Sequence, residues 1–210
     1  MSTTRRLGQL VLGLALFGAS IALLVRADLG LFPWDVLHQG VARASGLPLG
    51  VVVILASVVV LALWIPLRQR PGLGTVANVV LVGAFVDLTL AVLPTVEALP
   101  GRVALLVAGV VLNAAASGLY IGAGYGPGPR DGIMTGLAAR GWSLRWSRLG
   151  IELAVLAVGL ALGGTVGVGT ILYALAVGPL VQPFLALFTV TAPRPADRPD
   201  TVPTTSGDPS

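Results

Sequence analysis

The chain of 210 residues contains no cysteine. That excludes disulfides, thiol nucleophiles and zinc sites built on thiolates. Lysine is absent too, so all 13 cationic side chains are arginine. The single histidine, His38, excludes a metal site built from several imidazoles. Charge of either sign is scarce, at 10% of residues against about 25% in a soluble domain. The sequence pI is 10.6, yet the arginines lie scattered at the ends of apolar runs with no basic cluster interleaved with aromatics. Nucleic acid is therefore excluded as a partner.

What is present resembles lipid. Hydrophobic residues make up 55% of the chain and the mean hydropathy is +0.92. Uncharged or nearly uncharged runs at 7–25, 50–67, 103–122 and 170–190 are each near the roughly 20 residues that cross a hydrocarbon core of about 30 Å. A fifth span, 74–92, is interrupted by Asp87, and a shorter sixth, 149–162, carries Glu152. The first apolar run exceeds the roughly 7–15 residues of a signal-peptide core, and further spans follow it. It reads as an uncleaved helix, with Arg5 and Arg6 as its topology anchor.

The chain repeats itself. At an offset of 96, Ala27, Gly30, Pro33, Asp35, Gly40 and Ala42 fall on Ala123, Gly126, Pro129, Asp131, Gly136 and Ala138. At an offset of 95, Gly72, Gly74, Thr75, Gly83 and Val86 fall on Gly167, Gly169, Thr170, Gly178 and Val181. Two signatures in the same order mean one unit used twice, at 1–94 and 95–191. Each copy reads as a long helix, a Gly/Pro turn, a short helix, a second span, a Gly-x-Gly-Thr turn and a third span. The short helix at 34–45 would be only about 18 Å long. It lies at the interface or dips in as a half-helix beside a cavity. Gly46 and Gly141 suit the ends of the two short helices.

Three spans per copy is an odd number, so the second copy enters the membrane upside down. With the N-terminus inside, Arg5, Arg6, Arg68, Arg70, Arg130, Arg140, Arg145, Arg148, Arg194 and Arg198 are cytoplasmic, and only Arg26, Arg43 and Arg102 are outside. That split obeys the positive-inside rule. The expected fold is an all-α polytopic membrane protein: six transmembrane helices in two inverted three-helix repeats, each with a short interfacial or re-entrant half-helix. Both termini are cytoplasmic. The segment 192–210, with five prolines, is expected to be a disordered cytoplasmic tail.

Several residues could carry chemistry. Asp35 and Asp131 each follow a proline by two residues at the start of a short helix, where a carboxylate can cap free N–H groups. Alternatively, the two half-helix starts shape a solute site near the midplane. Arg130, at the position matched by Trp34, can pair with Asp131, bind an anionic solute or set topology. Asp87, Asn78, Asn113 and Glu152 lie inside spans, where ionisable and polar groups are costly. Asp87 and Glu152 are candidate ion-coupling groups, although Asp87 can snorkel and Glu152 can pair with Arg148. Thr75 and Asn78 share a helix face, as do their mates Thr170 and Tyr173, which fits a pseudo-symmetric lining. The Gly-x-Gly-Thr turns lack the lysine, the spacing and the strand of a phosphate loop. His38 is expected at the membrane surface. Ser117 has no nucleophile context and suits close helix packing.

At ADLG, PWDVLHQG, RQRPGLGT and GPRDGIMTGLA, across roughly residues 7–188, the chain resembles the YczE/YyaS/YitT group of bacterial integral membrane proteins. The matching positions are Asp28, Gly30, Pro33, Trp34 and Asp35, then Gly126, Gly128, Pro129, Arg130, Asp131 and Gly132. The resemblance implies a multi-span protein of the bacterial cytoplasmic membrane and supplies no substrate.

The functional expectation is a small secondary transporter or permease for a small, anionic solute. The alternative is a non-transporting scaffold or accessory protein. No Walker motif supports an ATP-driven mechanism. Neither catalytic residues nor a cofactor or metal is expected. The expected partners are the lipid bilayer and a small-molecule solute, with a homo-oligomer left open.

Overall fold

The computed structural model describes residues 3–189, and the segment read as a disordered tail, 192–210, lies outside them. The described residues form eight helices: α1 (Thr3–Ala27), α2 (Pro33–Ser45), α3 (Leu49–Ala62), α4 (Leu73–Val92), α5 (Leu99–Gly122), α6 (Pro129–Ala138), α7 (Leu144–Ala161) and α8 (Val168–Phe188). Four of them, α1, α4, α5 and α8, are long and apolar enough to cross a membrane. The pair α2 and α3, bent by 117°, raises the number to five if taken as one broken span.

The apolar run at 50–67 yields a shorter helix than its composition suggests. After Ala62 the chain passes into tighter turns, with Trp64 N–H bonded to Leu61 O and Ile65 N–H to Ala62 O. Pro66 then has no N–H to continue the ladder. The 14 residues of α3 reach only about 21 Å. Helix α7 has 18 residues but carries Arg145, Arg148 and Glu152.

Helix α1 buries Leu10, Leu14, Ile21 and Leu24, a stripe at helical spacing, and α5 buries Leu106, Val110, Ala114 and Tyr120. These stripes face each other, and small residues let the backbones close up: Gly13 lies against Tyr120, and Gly109 against Leu24. The two helices are antiparallel. Arg6 Nε donates to Ala123 O at 3.1 Å, and its mate Arg102 Nε donates to Ala27 O at 2.8 Å. Helices α4 and α8 leave large apolar side chains such as Val80, Leu88, Ile171 and Leu175 exposed. That surface suits hydrocarbon better than water.

The two halves interlock rather than sit side by side. Helix α2 packs on α7, and α6 packs on α3, where the Trp64 ring covers Gly132. The loop before each short helix rests on the Gly-x-Gly-Thr turn of the other half. Gly169 N–H donates to Leu29 O at 2.7 Å, and Gly74 N–H donates to Tyr125 O at 2.9 Å. The positive-φ residues also come in matched pairs: Asp28 with Gly124, Gly30 with Gly126, Gly46 with Gly141, and Arg68 with Gly163.

The capping expectation needs correction for Asp35, whereas the Asp131 carboxylate does turn back to the backbone of the N-cap residue Gly128. The N-cap residues of α2 and α6 are Phe32 and Gly128, with Pro33 and Pro129 at the first helical position. Proline fits there because its missing N–H would have had no intrahelical partner. Asp35 and Asp131 therefore stand on the third helical residue. Asp35 directs its carboxylate at side chains rather than at a cap.

Candidate functional site

The starts of α2 and α6 meet at a cavity of about 280 Å³. Phe32 and Trp34 line it from one short helix, and Gly128, Arg130 and Asp131 from the other. Ser57 of α3, Asn78 of α4, Ser117 and Tyr120 of α5, Arg148 and Glu152 of α7, and Tyr173 and Gln182 of α8 complete its polar wall. Both short helices present the positive end of their dipole at their starts, although the leading proline has no N–H and the N–H groups of Asp35 and Asp131 already bond the N-cap carbonyls.

Arg130 crosses from α6 to α2. Its Nη2 donates to Asp35 Oδ1 at 3.3 Å, and its guanidinium lies 5.3 Å from the Trp34 ring centroid and 5.8 Å from that of Phe32. Arg130 and Trp34, matched in sequence, thus stack on one another in space. Asp35 also faces His38 Nδ1 at 3.3 Å. Asp35 and His38 are 3% and 2% exposed, so a charge there is tolerable only because it is paired. His38 is thus buried inside the protein beside that carboxylate rather than exposed on its outside.

Asp131, Tyr120 and Asn78 gather around Gly128. A methyl group added to Gly128 would lie 3.3 Å from Asp131 Oδ2, 3.4 Å from the Tyr120 hydroxyl and 3.8 Å from Asn78 Nδ2. On the far wall, Tyr173 donates to Asn113 Oδ1 at 2.6 Å, and Asn113 Nδ2 donates to Ser20 Oγ at 2.8 Å. This buried chain links α8, α5 and α1, and it accounts for the otherwise costly polar groups within the spans. Arg148 Nε and Glu152 Oε1 form an i,i+4 pair at 2.9 Å. The indole N–H of Trp34 is buried without a partner among the described residues.

Of the residues picked out in the sequence, Trp34, Asn78, Arg130, Asp131, Glu152 and Tyr173 reach the cavity wall, and Asp35 stands directly behind it. Thr75 and Thr170 do not line it. Each hydroxyl accepts a backbone N–H of its own turn, from Gly72 at 3.2 Å and Gly167 at 3.3 Å, and Thr75 also donates to Pro127 O at 2.8 Å. They share a face with Asn78 and Tyr173, but the first turn of each helix lies under the loop from the other half. Asp87 is also away from the cavity, accepting the Gly50 N–H at 2.7 Å at the start of α3. Tyr120 and Gln182 escaped the sequence reading. A lone hydroxyl or amide in an apolar span needs a partner, and that was the available signal.

The model of a family of unknown function, DUF6198, matches residues 4–186. The chain belongs to that family. An "Uncharacterized protein" of Haemophilus influenzae (strain ATCC 51907 / DSM 11121 / KW20 / Rd) is 37% identical over 177 residues, 84% of this chain and 81% of the relative. The "Uncharacterized membrane protein YczE" of Bacillus subtilis (strain 168) is 34% identical over 168 residues, 79% of this chain and 78% of the relative. The resemblance to the YczE group therefore holds, and with the apolar helices it makes the chain a membrane protein. No solved structure gives a significant match.

Proposed function

We propose that this protein is a small secondary transporter or permease of the bacterial cytoplasmic membrane, binding a small anionic solute where the two half-helices meet. The observation that carries the reading is the cavity itself, with Arg130 and Trp34 at the facing starts of α2 and α6. Facing helix N-termini favour negative charge. Arg130 spends one contact on Asp35 and keeps further N–H groups for a solute in the cavity.

In this reading α2 and α6 are re-entrant half-helices, and α1, α3, α4, α5, α7 and α8 are the six passes, with both termini cytoplasmic. The second half is inverted relative to the first. The antiparallel Arg6 and Arg102 contacts and the uneven distribution of arginines support that orientation. The protein binds and passes its solute without covalent chemistry. Glu152, on the cavity wall beside Arg148, is better placed than Asp87 to couple an ion.

Thermal shift of the purified protein against a panel of small inorganic and carboxylate anions tests the site. At least one anion should stabilise the wild type, Arg130→Lys should weaken that response and Arg130→Ala abolish it. A lysine cannot reproduce the planar, multi-donor contact. A flat response to every anion, or an Arg130→Ala variant that responds like the wild type, would leave the arginine as a topology anchor and favour a scaffold.

A further inference from the structure

Matched loops make matched contacts in this fold, but the helices do not all follow: α2 packs far more closely on α7 than α6 on α3, and the sharpest difference is at the seams of α4 and α8. Helix α3 packs along α4, whereas α7 stands away from α8. At the α3–α4 seam the Gly50 N–H is bonded to Asp87 Oδ1, and a methyl group on Gly83 would overlap the Gly50 carbonyl and the Ile54 side chain. The mates of Gly50, Ile54, Gly83 and Asp87 are Arg145, Leu149, Gly178 and Gln182. There the seam is open. A methyl group on Gly178 would meet nothing within 4 Å, Leu149 is 44% exposed, and Gly178 and Gln182 line the cavity. The cavity therefore reaches outward through the space that its counterpart fills.

We infer that the two seams are one joint caught in two states, and that the protein alternates by closing α7 onto α8 while α3 leaves α4, with the Asp87–Gly50 bond as the latch. The inference rests on the transport reading above. Gly178 leaves room for α7 to approach as closely as α3 approaches Gly83. Gln182 places an amide oxygen at the position of the Asp87 carboxylate, where it can accept an N–H from the first turn of α7. In the exchanged state the α3–α4 side opens the cavity from the opposite direction. Two packings of one motif that differ by a few small residues are the kind of bistable element a switch requires. Asp87 is then a positioning residue of the gate and touches no solute.

Because the chain has no cysteine, paired spin labels report both seams directly. Labels on Leu153→Cys with Leu175→Cys span α7–α8, and labels on Leu55→Cys with Val80→Cys span α3–α4; all four positions face outward. Pulsed electron-spin distances are measured in lipid nanodiscs without added solute. Asp87→Ala removes a bond to a charged acceptor, which should shift the ratio of the two states by about tenfold. The α7–α8 distance should shorten and the α3–α4 distance lengthen in the same fraction of molecules. Gly83→Ala, which wedges the same seam, should do likewise and covers the case in which Asp87→Ala does not fold. Adding Gly178→Leu should block the shortening. An α7–α8 distance that neither variant moves, or an α3–α4 seam that widens alone, overturns the joint. Because no solute is involved, either outcome is independent of the anion-binding result.

Discussion

At the residue scale the account turns on a cation held between two aromatic rings and one carboxylate. Asp35 binds Arg130 and His38 together, so its removal frees two donors at once. Asp35→Ala should destabilise the protein by about 1–3 kcal/mol, measured as loss of thermal stability in detergent. Asp35→Asn keeps an acceptor oxygen and should cost less. The sequence makes Asp35 conspicuous through its repeat mate Asp131, but it does not reveal what either carboxylate touches. Spacing from the proline points to a helix cap, while the partner that decides the matter, Arg130, is 95 residues away in the other half. Local pattern carries no trace of such a pairing. The pairing of His38 with Asp35 is by contrast a local i,i+3 contact; what the sequence hides is that both residues are buried.

At the element scale the loops before α2 and α6 do the positioning. Gly30 and Gly126 have φ of 118° and 114°, which side chains with a Cβ rarely adopt. A methyl group at Gly30 would also lie 2.7 Å from Gly167 N and 2.8 Å from Thr170 N. Gly30→Ala should therefore cost more than the roughly 1–3 kcal/mol of backbone strain alone. Gly46→Ala and Gly141→Ala should cost less, because open space surrounds both positions. Urea or thermal unfolding of the three variants gives the ranking. The short helices and their terminal glycines were legible, since length alone rules them out as spans. The reach of α3 was not. Its apolar run continues to Leu67, but Trp64 turns inward to donate its indole N–H to Pro129 O at 2.9 Å, and the helix ends.

For the whole molecule, the duplication was written in the chain and its consequence was only half visible. Recurring signatures announce two copies. They do not say that each short helix packs on the second helix of the other copy, nor that each loop caps the other copy's glycine turn. That interlocking follows from contacts such as Gly74 with Tyr125 and Gly169 with Leu29, which no single repeat contains. It also explains why Thr75 and Thr170, legible as a pair, serve the joint between halves while Asn78 and Tyr173 serve the cavity. The central claim is that these two interlocked copies lie inverted across the membrane around one cavity. Single cysteines at matched loop positions, labelled in intact cells with an impermeant thiol reagent, test it most directly. Leu47→Cys and Val166→Cys should label from outside; their mates Trp142→Cys and Pro71→Cys should label only after the membrane is permeabilised. Labelling of both members of either matched pair from the same side would contradict the account.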